Sequence, residues 1–360
     1  MRHGNITKNK IHIIWIIITI MLIIISFCLF ASVTIYIDPL FHYHKPLREY
    51  EYPLNNERYQ NDGITRNFEY DSIITGTSMT ENFKTSEANE LFDADFVKVP
   101  FSGGYYKEIN DNLKRAYDAG KSIVYVLRCL DYSYLIQDKN AYNIDIEFPT
   151  YLYNDNLFDD VQYVWNNSIL FDQTLNVVKY TEDGNKTTNF DDYANWNDSY
   201  TFGAETVLST YTLGEKEVKK VLSEDEAVMV GDNVRQNVTD LADLHPETVF
   251  YLFFPPYSIC YWDELNNSGQ IDWRIEAEQI AIEEILKHPN IKLYSFCDNF
   301  ELVCNLDNYR DQAHYGEWVN SWILEWMHDD EHLLTKDNYD QYIATIKKFY
   351  HTYDYSLLRE

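Results

Sequence analysis

The chain has 360 residues, 45% hydrophobic and 24% charged, enough apolar content to bury a full core and to exclude a disordered chain. Its formal charge is −29 and the one basic block stands at the extreme N-terminus, which excludes a surface built to displace counterions from nucleic acid. Aromatic residues reach 16%, including 31 Tyr and 8 Trp, a supply of flat rings with polar edges that core packing and carbohydrate surfaces both use.

Ile13 to Val33 is apolar, and no Asp, Glu, Lys or Arg occurs between Lys10 and Asp38. About 20 such residues cross a bilayer core as a helix, so a membrane helix is expected over 13–37. Arg2, Lys8 and Lys10 precede it, which places 1–12 in the cytoplasm and everything after the anchor outside, at the cell membrane. A cleaved signal peptide fits less well. Its apolar run is shorter, and Leu29-Phe30-Ala31 is no small-x-small site.

Residues 38–68, with Pro39, Pro46 and Pro53, read as a stalk, and 69–360 as the external domain. Within that domain 71–75, 96–99, 122–127, 248–254 and 291–296 read as strands. Helices are expected over 104–119 and 232–243, and an aromatic one over 317–327. Strands alternating with helices predict a three-layer α/β fold around a mostly parallel five-stranded sheet. About a hundred residues separate the third strand from the fourth, more than one crossover needs, so 131–225 is expected to be an insertion.

Cys28, Cys129, Cys260, Cys297 and Cys304 show no Cys-x-x-Cys spacing, and no zinc site is expected. Cys297 and Cys304 are either paired or reduced, and cysteine usage does not decide the compartment. His328 and His332 have a metal-compatible spacing but lie in a charged stretch that reads as a solvated helix end. No metal or organic cofactor is expected.

Ligands of open parallel sheets bind beyond the carboxyl ends of the strands. Gly76-Thr77-Ser78 stands there after the first strand, with a hydroxyl to present and a glycine for a tight exit. Asp311-Gln312-Ala313-His314 follows the last strand; an Asp three residues before a His can orient the ring and leave its other nitrogen as a base for a serine. Phe101-Ser102-Gly103-Gly104 follows the second strand, and Phe254-Pro255-Pro256-Tyr257 ends the fourth, with Tyr257 and Thr77 as candidate substrate contacts.

With Ser78 at one end and Asp311 and His314 at the other, the chain resembles the SGNH/GDSL hydrolase superfamily over most of 70–350. Gly76-Thr77-Ser78 matches its first block, Asp311-x-x-His314 its last, and Gly103 or Gly104 the glycine whose N–H serves the oxyanion. The resemblance implies a flavodoxin-like sheet and a Ser-His-Asp triad. Two departures stand out. Thr77 replaces the usual Asp of the first block, and Leu127-Arg128-Cys129-Leu130-Asp131 lacks the third-block Asn, which leaves Arg128 as a candidate oxyanion donor. The plan is similar to the D-alanine transfer proteins of teichoic acid modification and to anchored SGNH proteins of exopolysaccharide acetylation. That similarity implies acyl transfer onto, or ester removal from, a cell-surface glycopolymer, beside a membrane-bound O-acyltransferase. A non-catalytic scaffold of the same fold is the alternative.

Overall fold

The computed structural model describes residues 3–214 and 216–359, which form two compact units. The first comprises the chain up to Pro53 together with Pro149–Thr188. It begins with helix α1, His3–Ile37, whose most apolar stretch has a mean hydropathy of 3.1 and is unburied. One N-terminal helix is thus long and apolar enough to cross a membrane. Asp38 ends it, in the left-handed region at φ 48°. The buried Asp38 carboxylate accepts from the N–H groups of His42, Tyr43 and His44 and from the Tyr163 hydroxyl, so one side chain fixes the turn that leaves the helix.

The second unit, Leu54–Phe148 with Asn189–Glu360, is α/β. Its longer helices and its strands in chain order are α2 (Glu57–Asn67), β1 (Ser72–Gly76), α3 (Thr85–Phe92), β2 (Phe96–Pro100), α4 (Tyr106–Asp118), β3 (Tyr125–Cys129) and α5 (Glu224–Val234). They continue with β4 (Val249–Phe254), α6 (Ile259–Asn267), α7 (Ile271–Ile285), β5 (Ile291–Ser295), α8 (Glu317–His328), β6 (Leu333–Leu334) and α9 (Tyr339–Thr352). The sheet runs β2-β1-β3-β4-β5-β6, parallel except for β6. Residues Ser72–Gly76 and Phe96–Pro100 are buried throughout, Lys98 included, so those strands show no alternation of apolar and polar positions. Strands β2 and β3 flank β1, so the chain reverses its winding there. A crevice opens outside the carboxyl ends of β1 and β3 at that switch point.

Two expectations are corrected. The sheet has six strands, not five: β6 is two residues long, pairs antiparallel with β5, and is too short to show a period. The end of the expected stalk is a helix of the α/β unit. α2 packs on β2 and α4 through a polar face, in which Asp62 holds Arg66 and Arg115 and Asn61 joins the Pro100 carbonyl to the Tyr193 hydroxyl. A buried face made of Arg58, Gln60, Asn61, Asp62, Gly63 and Thr65, with Ile64 its single large apolar side chain, leaves no apolar stripe in the sequence.

Candidate active site

Ser78 is delivered by the turn out of β1. Gly76 sits at φ 152°, and a Cβ there would come within 2.7 Å of the Thr80 methyl and 2.8 Å of Cys129 Cβ. Only glycine lets β1 exit this close to the end of β3. Thr77 then donates its hydroxyl to Asp131 Oδ2 at 2.9 Å, while Asp131 Oδ1 accepts from the Ser133 N–H. Thr77 and Asp131 therefore form one buried contact that pins the serine turn to the loop after β3.

The histidine loop is pinched shut by pairing between the buried Tyr309 and Tyr315 and by the Arg310 N–H on the His314 carbonyl. Ser258, just beyond β4, donates both its N–H and its hydroxyl to the Gln312 carbonyl and ties the loop to the sheet's carboxyl edge. Asp311 Oδ1 accepts from the N–H groups of Ala313 and His314. Its Oδ2 lies 2.8 Å from His314 Nδ1. His314 Nε2 lies 2.9 Å from Ser78 Oγ. Burial works against ionisation of Asp311, but the His314 ring and the two N–H groups outweigh it and bring the carboxyl down to about 2.

Around the ring stand side chains that the sequence did not single out. Trp196 meets His314 edge to face with centroids 5.7 Å apart, and the Arg310 guanidinium lies over Trp196 at 3.9 Å and over Tyr200 at 3.8 Å. Their stretch of chain carries no motif that betrays this position. Ser78 and His314 open on a cavity of about 530 Å³ that is also lined by Asp131, Tyr134, Tyr257, Glu217 and Glu264. Asp131 was legible in principle, since it stands just past the end of a parallel strand at the switch point.

The other expected site residues are placed as follows. Tyr257 lines the crevice but is 3% exposed, and Thr77 is buried behind the turn with its hydroxyl spent on Asp131. Arg128 is not at the site: it is buried, and its guanidinium donates to the carbonyls of Asn237 and Tyr106. An inward-facing position late in β3 sends it under the sheet rather than past its edge. In the loop after β2 the N–H groups of Phe101, Ser102 and Gly104 are taken by the Gly76 carbonyl, Glu57 and the Phe101 carbonyl. The N–H of Gly104 is thus engaged within its own turn. Gly103 sits at φ 63°, is held through its carbonyl by Asn143, and lies 3.6 Å at its Cβ position from the Tyr134 hydroxyl.

Beneath the serine turn lie Glu57 and Glu81. Burial raises both carboxyls, and repulsion from Glu57 raises Glu81 further. Lys98, pushed down to about 7 by burial, donates to the carbonyls of Glu81 and Phe83. His328 and His332 pair with Asp329 and Asp298, and the five cysteines are free.

No protein-family model matches the chain, and no curated protein matches it in sequence. Among solved structures, a provisionally assigned platelet activating factor from Streptococcus pneumonia is similar at 10% identity and a TM-score of 0.39, over 76% of this chain and 90% of that one.

Proposed function

We propose that the protein is a serine esterase or O-acyltransferase, anchored in the cell membrane by α1 with its α/β domain outside the cytoplasm, that acts on acyl esters of a cell-surface glycopolymer. The observation that carries this reading is the run of contacts from Asp311 through His314 to Ser78, made by residues 236 positions apart in sequence at 2.8 and 2.9 Å. Such a relay has one obvious use. His314 Nε2 takes the proton as Ser78 Oγ attacks an ester carbonyl, and Asp311 holds the tautomer that makes this possible and stabilises the imidazolium.

The oxyanion that forms would be met by the N–H groups of Ser78 and Gly103 and by the hydroxyl of Tyr134, which takes the place of the missing amide donor. Burial pushes the Tyr134 phenol up to about 12, so it stays a donor at neutral pH. Collapse of the intermediate expels the alcohol, which takes the proton from His314 and leaves an acyl-Ser78. Water then yields an esterase; a sugar or polyol hydroxyl, deprotonated by the same nitrogen, yields a transferase. A membrane-bound O-acyltransferase is the partner that would supply acyl groups to the second route.

One observation favours the scaffold reading instead. Asp131 brings a carboxylate into the crevice beside Ser78, where developing negative charge is unwelcome. Labelling decides between the two. The full chain in detergent, treated with a fluorophosphonate, should be modified at Ser78, and Ser78→Ala should not react. An unlabelled wild type, with Ser78 recovered intact by mass spectrometry, would remove the enzyme reading and leave the scaffold.

Tyr134→Phe tests the third donor. Loss of one oxyanion contact costs on the order of 10²-fold in kcat with KM little changed. Steady-state hydrolysis of an activated acetyl ester reads it, and an unchanged kcat would return the oxyanion to backbone N–H groups alone.

A further inference from the structure

Helix α8 leaves the histidine loop directly and carries Trp318, Trp322 and Trp326 at four-residue intervals, about 6 Å apart along the axis. Trp318 is drawn towards the site. Its indole lies 2.3 Å from where a Cβ on Gly316 would stand, its N–H donates to Asn308, and its ring meets Phe202 at 5.0 Å. Phe202 stacks near Trp196, which in turn touches His314. At the other end Trp322 and Trp326 lie 6.2 Å apart, Trp322 exposed and Trp326 half-buried against Phe296 and His332. These two rings form one wall of a groove of about 420 Å³. The opposite wall comes from the segment after β5: Asn299, Glu301, Leu302 and Asn305, with Asn308 at the Trp318 end.

Core packing does not account for an exposed tryptophan facing a row of amides. The oxygens of Asn299 and Asn305 are committed to the N–H groups of Leu302 and Asp307, which leaves their amide nitrogens as the donors of the groove. Glu301 adds an acceptor. Flat apolar rings flanked by amide donors and a carboxylate match a pyranose, whose axial C–H groups present an apolar face and whose equatorial hydroxyls present a polar rim. The lining includes no cation, and the chain carries a formal charge of −29, so uronate- or phosphate-bearing polymers meet repulsion.

We propose that this groove binds a neutral polysaccharide, seating successive sugar rings on Trp322 and Trp326, with the aromatic row Trp318–Phe202–Trp196 leading on to His314. The groove's affinity stands by itself; its use as a polymer subsite rests on the esterase or transferase reading and narrows that reading to an uncharged glycan.

The test is calorimetric titration of the full chain, in a detergent without a sugar headgroup, with cellohexaose and chitohexaose, and with hexagalacturonate as the anionic probe. A neutral hexasaccharide should bind, at least tenfold tighter than hexagalacturonate at low salt. Trp322→Ala should weaken that binding tenfold or more, and Trp322→Tyr, which keeps a ring, should restore most of it. Binding by neither neutral probe, equal binding of hexagalacturonate, or unaltered affinity in Trp322→Ala would overturn the proposal. Ser78→Ala should bind like wild type. A protein that binds glycan but resists fluorophosphonate therefore fails only the catalytic reading, and one that labels but ignores both neutral probes fails only this one.

Discussion

Asp311→Asn should lower kcat by on the order of 10³–10⁴-fold while the protein still folds and still binds its ester. The size follows from what the carboxylate does. Asp311 accepts at 2.8 Å from one nitrogen of His314 while Ser78 waits 2.9 Å from the other. An amide at that position can turn its NH2 to the ring, which then presents an N–H to Ser78 and cannot take a proton from it. Asn can keep its oxygen on the N–H groups of Ala313 and His314, so the loop survives the exchange. That separates the chemical effect from a folding effect, which Asp311→Ala would not. The measurement is kcat and KM on an activated ester, with fluorophosphonate labelling as a second readout that should slow in parallel. A variant within tenfold of wild type would show that His314 does not depend on Asp311.

The same contacts fix a pH dependence. Asp311 is held down to about 2, below the usual carboxylate range, so its contribution to folding is complete above that ordinary range and fades as pH falls towards 2. Wild type and Asp311→Asn should therefore differ in stability by a constant amount near neutrality and converge in strong acid.

Much of the α/β unit was legible because its strands are short, mostly apolar runs that end at glycine or proline, as Ser72–Gly76 and Phe96–Pro100 do. What escaped has physical reasons. The face that α2 buries is polar and satisfied by partners far along the chain, so no hydropathy pattern marks it. Two residues of β6 cannot display a period. At the site, Ser78, Asp311 and His314 sit in recognisable local patterns at strand ends. Tyr134 and Trp196 instead derive their position from the path of an irregular segment, which single-sequence reasoning does not supply. Arg128 was misplaced because the alternation of side chains along a strand decides which way a residue points, and the register of β3 becomes clear only beside β1 and β4.

Arg274→Met should destabilise the α/β unit by about 3–5 kcal/mol, the cost of leaving a buried charge without its partner. Arg274 is 3% exposed and Glu278 fully buried; they meet at 2.5 Å one turn apart on α7. Glu278 further accepts from the Tyr342 and Ser295 hydroxyls, which tie α9 and β5 to the pair. The guanidinium lies 3.1 Å from the centre of the Tyr132 ring. Tyr132 in turn stacks on Phe254 at 5.1 Å and sets its edge against Tyr257, a wall of the crevice. Removing the cation therefore takes away both a countercharge and the support beneath that wall. Urea unfolding should show the loss, and KM for a small ester should rise in the surviving folded protein. The double variant Arg274→Met/Glu278→Leu separates the two roles. It removes the stranded carboxylate and should recover most of the stability, because a buried ion pair is worth little over well-packed apolar groups. It does not put a cation back under Tyr132, so the raised KM should persist. Recovery of both would mean that the crevice wall depends on general packing, and recovery of neither that the Tyr132 contact, rather than the Glu278 charge, holds α7 in place.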